Sequence, residues 1–137
     1  MPELSNSRLD DLMQSGAAVF ARAFQRHGAT VAFGQSLPSS FHLVAPRFGI
    51  NQAGYRTESS GAMMADGYAR IAGRFGLVTA MHGPAAALLV PGLAEALKAS
   101  VPVVALVQEV GRRIMDRNAA SEIDHLPLFA GCAKRSE

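Results

Sequence analysis

From Leu12 to His27 the apolar face runs through Leu12, Gly16, Val19, Phe20, Ala23, Phe24 and His27. That spacing of three and four predicts an amphipathic helix, and Gly28 stands where a glycine closes one. Val31 to Gly34 is a short apolar run suited to a buried strand. Ser39 to Phe48 predicts a short helix, and Ile50 to Arg56 a strand of mixed polarity. Ser59 to Ala72, rich in Ala and Met, predicts a helix closed by Gly73. Gly76 to Met81 predicts a strand, His82-Gly83-Pro84 a turn, and Ala85 to Ala99 an apolar helix. Pro102 to Val107 is an unbroken apolar strand. Gly111 to Glu137 predicts loop with one short helix near Leu126 to Gly131.

Strands written as unbroken apolar runs and alternating with helices predict an α/β fold. Its core is a doubly wound parallel sheet flanked by helices on both faces, with right-handed crossovers. Ligands of such sheets bind beyond the carboxyl ends of the strands. That directs attention to Gly34–Pro38, Arg56–Gly61, His82–Ala86 and the loop after Val107.

At 137 residues the chain has room for one core. Residues 1–11 form an expected frayed lead-in, and residues 12–137 the domain. With 49% hydrophobic and 18% charged residues the chain is neither disordered nor highly solvated. It has no Trp, and aromatics are 7%, so a stacking platform for nucleic acid is not expected. The net charge is +2, and the tight basic group Arg112, Arg113 and Arg117 carries no interleaved aromatic. It predicts a solvated segment rather than a phosphate-binding stripe. Cys132 is the single cysteine, and the polar, acidic N-terminus is unlike a targeting peptide. Together these predict a reducing, cytoplasmic setting. The apolar stretch around Ala85 to Val90 is broken by Pro91 and Glu95, too short for a bilayer.

No Gly-x-Gly-x-x-Gly follows the first strand, and no Walker loop occurs. His27, His42, His82 and His125 have no metal-ligand spacing with one another or with Cys132. Cys132 is expected as a small buried residue, and no nucleophile elbow surrounds Ser59 or Ser60. Pattern and spacing alone thus stop at a parallel α/β domain.

Tyr55 to Arg70, ending Ala65-Asp66-Gly67-Tyr68-Ala69-Arg70, resembles a signature of thiamine diphosphate enzymes. The match is to the N-terminal pyrimidine-binding (Pyr) domain of the acetolactate synthase and 2-oxo acid decarboxylase group. In that family a glutamate ends a strand and an alanine-rich helix follows. Three further segments fall in the family's order. They are Phe33 to Pro38, Gly76 to Pro84, and Gly92 to Ala96 with Ser100 to Val104. The resemblance covers roughly residues 14 to 132.

The resemblance implies that Glu58 is catalytic. It would hydrogen-bond N1′ of the aminopyrimidine and pass the proton that makes the cofactor's own 4′-amino group a base. Burial would favour the protonated carboxyl this requires. The activated cofactor would then attack the carbonyl of a 2-oxo acid and hold the electrons after carbon dioxide leaves. The bland alternative is an acid placed at a helix N-terminus for its dipole. The resemblance further implies cofactor contacts at Gly34, Gln35, Gly83, Pro84 and Leu88. The alternatives are an exposed turn residue at Gln35 and a strand-to-helix turn at Gly83-Pro84. His82 and Gln108 are substrate-side candidates; a turn histidine is the alternative at His82. The Ala/Met-rich helix 59–72 is a candidate dimer surface.

Three departures weaken a specific acetolactate synthase assignment more than the cofactor assignment. His82 replaces a small Ser or Thr, and Leu88 replaces a common asparagine. Gln35-Ser36 replaces an aromatic followed by proline. The family's Gly-Asp-Gly, which holds Mg2+ in the diphosphate-binding (PP) domain, is absent from these residues. The expected partner is therefore a PP domain of the same or another chain, within a homo-oligomer (dimer or tetramer) acting on a small 2-oxo acid. The resemblance leaves FAD open. It implies a chain inactive by itself: a truncated piece of a longer enzyme or a subunit of a split one. A non-catalytic Pyr-like assembly or regulatory module is the reading from another class.

Overall fold

A computed structural model describes residues 11–137, so the expected lead-in, apart from Asp11, lies outside the described residues. Four parallel strands form one sheet in the order β2-β1-β3-β4. They are β1 (Val31–Phe33), β2 (Asn51–Ala53), β3 (Gly76–Ala80) and β4 (Val103–Val107). The helices are α1 (Gly16–Arg26), α2 (Ser39–Val44) running into a 3-10 turn (Ala45–Phe48), α3 (Glu58–Ala72), α4 (Pro84–Ala87), α5 (Val90–Lys98) and α6 (His125–Phe129). The doubly wound α/β expectation holds.

Side-chain alternation sorts the two faces. Phe33, Val78 and Ala80 point to one face, against Ala62 and Ala65 of α3, Leu89, and Leu93 of α5. Ala32 and Leu77 point to the other, against Ala21 of α1, Phe41 and Val44 of α2, and Ile50. β3 is central and wholly buried, whereas β4 at the edge is only partly covered. The two pair from Gly76↔Val103 to Ala80↔Val107.

α3 explains itself locally. Thr57 caps it, its side chain accepting from Ser60 N–H while the Ser60 hydroxyl accepts from Thr57 N–H, a reciprocal box. Gly73 at φ 64° ends it. Within it Asp66 is buried and accepts two bonds from the Arg70 guanidinium at 2.8 and 3.1 Å.

Three expectations change. The face foreseen on α1 is not the one that packs: Ala18 and Ala21 are buried, while Val19 and Phe20 are exposed. The helix foreseen from Ala85 to Ala99 is two, α4 and α5, with Leu88 and Leu89 between them. Pro91 has no N–H to continue the ladder and instead lies in the first turn of α5. The strand foreseen from Ile50 to Arg56 shrinks to Asn51–Ala53, an edge strand of two exposed residues and one half-buried. Gly54 to Thr57 is consequently the approach to α3.

Candidate functional site

The chain leaves β1 toward β2 across one sheet face and returns to β3 across the other, by way of α3. Neighbouring strands β1 and β3 thus lead their connections in opposite directions. Their carboxyl ends form the crevice where such sheets bind ligands. Gly34 and Gln35 follow β1 there, and His82, Gly83 and Pro84 follow β3.

Glu58 is the first residue of α3 and does not end a strand; β2 stops at Ala53. The helix-terminal placement named as the bland alternative is therefore what the backbone adopts. It leaves the acid available, because Glu58 is half-buried and makes no ion pair among the described residues.

Tyr55 organises the ground behind Glu58. Its ring lies over Gly61, where an added Cβ would come within 2.3 Å of it. Its hydroxyl donates to the Thr79 carbonyl at 2.8 Å, tying the β2–α3 loop to β3. Burial first, and then the negative charge of Glu58, push the Tyr55 phenol up to about 12.

The sequence-selected residues fall into three groups. Gln35 donates from its amide to the carbonyls of Tyr55 and Arg56 at 3.4 and 3.3 Å, joining the first loop to the Glu58 loop. Gln52 in turn holds that first loop by donating to the carbonyls of Gly34, at 2.8 Å, and Gln35. Gly34 packs so closely that an added Cβ would sit 2.2 Å from Thr79 Oγ1 and 2.7 Å from the His42 ring. Leu88, exposed, reaches the start of α3 through its carbonyl, which accepts from Ser59 Oγ at 2.6 Å. Gln35, Leu88 and Glu58 thus belong to one loop cluster.

The turn His82-Gly83-Pro84 forms the second group. Gly83 is the N-cap of α4 at φ 70°, ψ −131°, and Pro84 opens the helix as foreseen. His82 is 8% exposed, more deeply placed than a turn histidine. Its Nε2 lies 3.2 Å from the Ala120 carbonyl, while its Nδ1 has no partner among the described residues.

Gln108 stands apart. It lies on the α1/α2 side of the sheet, at a cleft of about 260 Å³ bounded by Phe20, Pro38 and Phe41. Its backbone N–H donates to Ala80 O at 2.9 Å, extending the β3–β4 pairing by one bond.

Three groups were not foreseen. Tyr55 gave no periodic signal because it lies in the loop before α3. His42 bonds Thr79 Oγ1 at 2.8 Å through Nε2. Burial pushes its pKa down against the opposing influence of the Leu37 carbonyl. Glu109 and His125 pair at 2.7 Å across a long loop, a contact that pairwise sequence spacing does not reveal. No three His, Cys, Asp or Glu side chains among the described residues form a metal-binding group. No helix among them is long and apolar enough to cross a membrane.

Residues 14–128 match the family described as thiamine pyrophosphate enzyme, N-terminal TPP binding domain. The chain is similar to the acetolactate synthase isozyme 2 large subunit of Escherichia coli (strain K12). The two are 34% identical over 124 residues, 89% of this chain and 23% of that protein. An acetolactate synthase of Arthrospira platensis is 37% identical over 128 residues, 89% of this chain and 22% of its own. A sulfoacetaldehyde acetyltransferase of Rhodobacter capsulatus is 31% identical over 113 residues, 80% of this chain and 19% of its own. The chain spans about a fifth to a quarter of the length of these relatives.

Proposed function

The chain belongs to the thiamine pyrophosphate enzyme family as its N-terminal domain, and we propose that it forms the pyrimidine-binding half of an enzyme acting on 2-oxo acids, with Glu58 as the activating acid. The observation that carries this reading is the position of Glu58. It opens α3 beside the β1/β3 crevice, half-buried, with no ion-pair partner among the described residues. A single unengaged carboxyl suits one nitrogen of an aminopyrimidine. Bound thiamine diphosphate supplies the carbon nucleophile and the electron sink for decarboxylation or carboligation.

The chain's own residues divide the remaining work. Glu58 holds and passes a proton at N1′ of the pyrimidine. Tyr55, bonded to Thr79 O, fixes the loop that delivers Glu58. Gln35 ties the first loop to the same place. Gly34, Gly83, Pro84 and Leu88 form the small or apolar wall that keeps water from the ring. His82, beside this turn, is assigned to the substrate side, and Gln108 to a substrate or second cofactor that reaches the α1/α2 cleft instead.

The metal and the diphosphate are assigned to a PP domain on the same or another chain. The 137 residues alone are then inactive. On α3, Met63 is 46% exposed, Met64 38% and Ile71 91%. With Gly67 between them they form an apolar stripe at helical spacing, which supports a homo-oligomer joined through α3.

The test is Glu58→Gln in the full protein that carries this chain. Turnover of a 2-oxo acid with thiamine diphosphate and magnesium should fall about 10²- to 10⁴-fold. Turnover within a few-fold of wild type would remove Glu58 from the role.

A further inference from the structure

The turn that carries Gly83 and Pro84 is gripped by a segment about forty residues later in the chain. Gly83 N–H donates to His125 Nε2 at 2.9 Å. His125 Nδ1 meets Glu109 Oε2 at 2.7 Å, and Glu109 Oε1 accepts from Val110 N–H at 2.8 Å. The Ser121 carbonyl occupies the space a Gly83 Cβ would need, at 2.1 Å. Next door, His82 Nε2 faces the Ala120 carbonyl. Ala120, Ser121 and His125 thus hold two consecutive residues of the β3–α4 turn.

The His125 ring is placed firmly. Its side chain is 10% exposed, Phe129 stacks on it at 6.3 Å, and Asp124 caps the short helix it begins. The hydrogen bonds fix its tautomer. Nε2 must offer a lone pair to Gly83 N–H, so the proton is on Nδ1 and is donated to Glu109. A second proton on Nε2 would set two donors against each other and break the Gly83 bond.

We propose that Glu109 and His125 are a positioning pair that clamps the His82-Gly83-Pro84 turn, and that the clamp holds only while His125 is neutral. The pair touches neither cofactor nor substrate; it acts through the Gly83 backbone. This rests on the reading above, in which that turn forms the wall against the pyrimidine. Glu109, after β4, is bonded to His125; Asp124 precedes it as the cap of its helix, and His82, before α4, acts electrostatically on Glu109. Partial burial alone would raise the Glu109 carboxyl. The Val110 N–H, the His125 bond and charge, and the His82 charge together hold it below the ordinary carboxylate value. Glu109 is thereby favoured as a carboxylate, the acceptor that the His125 Nδ1 proton needs.

The test has two arms. In the first, the Gly83 amide of the 137-residue chain is followed by nuclear magnetic resonance from about pH 8 to pH 5, the range of histidine titration. Its shift should follow the same midpoint as the His125 ring signals. In His125→Gln, whose side-chain oxygen can still accept, the amide should stay protected from exchange and cease to titrate. In His125→Leu its exchange should speed up about tenfold. A Gly83 amide that titrates unchanged in His125→Gln, or exchanges unchanged in His125→Leu, overturns the clamp.

In the second arm, thiamine diphosphate with magnesium is titrated calorimetrically into the full protein. His125→Leu should weaken binding about tenfold, and His125→Gln should restore it. Wild type should lose affinity on acidification more steeply than His125→Gln. Equal affinities in all three proteins at every pH would overturn the positioning role even with the clamp intact. Glu58→Gln turnover decides the underlying reading separately.

Discussion

Replacing Gly83 by alanine asks two things of the structure that it cannot readily give. At φ 70° and ψ −131° the backbone lies where side-chain-bearing residues are strained, at a cost of roughly 1–3 kcal/mol. The new Cβ would also lie 2.1 Å from the Ser121 carbonyl oxygen and 2.8 Å from the Ser121 Cβ. Neither is the free end of a flexible side chain, so the 109–125 loop must move, and the Gly83 N–H to His125 bond goes with it. A neutral hydrogen bond of that kind contributes about 1 kcal/mol. Gly83→Ala should therefore destabilise the chain by about 2–4 kcal/mol. Gly67→Ala provides the opposite sign in the same protein. Gly67 lies inside α3 with nothing within 4 Å of its added Cβ. Alanine there should stabilise by about 0.5–1 kcal/mol, because glycine has the greater backbone entropy to lose. Urea unfolding of both variants, read by far-ultraviolet circular dichroism, checks the pair. A Gly83→Ala midpoint equal to wild type, with unchanged slope, would refute the steric and conformational reasoning together.

Two predictions concern titration. Tyr55 should ionise near 12, seen as the phenolate absorbance missing from Tyr55→Phe, and Glu58→Gln should bring it down toward the ordinary value. Because folding raises it, its contribution is full below about pH 10 and is lost as pH rises through about 12. A Tyr55 titration unmoved by Glu58→Gln would mean that the acid does not face the phenol. His42 is depressed chiefly by burial from its ordinary 6.5. The unfolded chain thus takes up that proton first, and stability should fall as pH drops below about 6.5 toward the folded value. His42→Gln should flatten that limb while leaving the carboxylate limb at lower pH; an unchanged limb would exclude His42 as its source.

What the sequence made legible was periodic or contiguous. The helix α1, the unbroken run of β3 and the Gly73 stop of α3 each follow from residues within one turn or one strand, and each is in place, although α1 buries Ala18 and Ala21 rather than the larger Val19 and Phe20. Element ends were less legible where backbone chemistry competes with apolar pattern. Ala85 to Ala99 is apolar enough for one helix, but Pro91 removes a donor and two helices result. The site was legible only as far as a motif reached it. Glu58 is adjacent to the strongest motif in the chain. His125 is 42 residues from the Gly83 amide it accepts from, and 16 from Glu109. Such contacts are set by how loops return over the sheet, which neither spacing nor propensity encodes.

The motif that identifies the family does little of the chemistry proposed for it. Ala65 and Ala69 are buried, and the Ala65 carbonyl lies so near β3 that a Cβ on Gly76 would sit 2.1 Å from it. Only small residues on both elements permit that approach. Asp66 and Arg70 pair along the helix, and Arg70 reaches Glu95 of α5 at 3.6 Å. The Tyr68 hydroxyl meets Thr30 Oγ1 at 3.0 Å, before β1. Each recognisable residue of Ala-Asp-Gly-Tyr-Ala-Arg except Gly67 thus has a packing or hydrogen-bonding duty, within α3, toward the sheet side or toward α5. α3 presses closely on β3, and its N-terminal residue is Glu58. Shifting the helix by the width of one methyl group would move the acid by a comparable distance, on the scale at which catalytic geometry is lost. On the proposed role of Glu58, the motif serves the site by seating the helix that carries the acid, and Gly67, with nothing within 4 Å of an added Cβ, has no part in that seating.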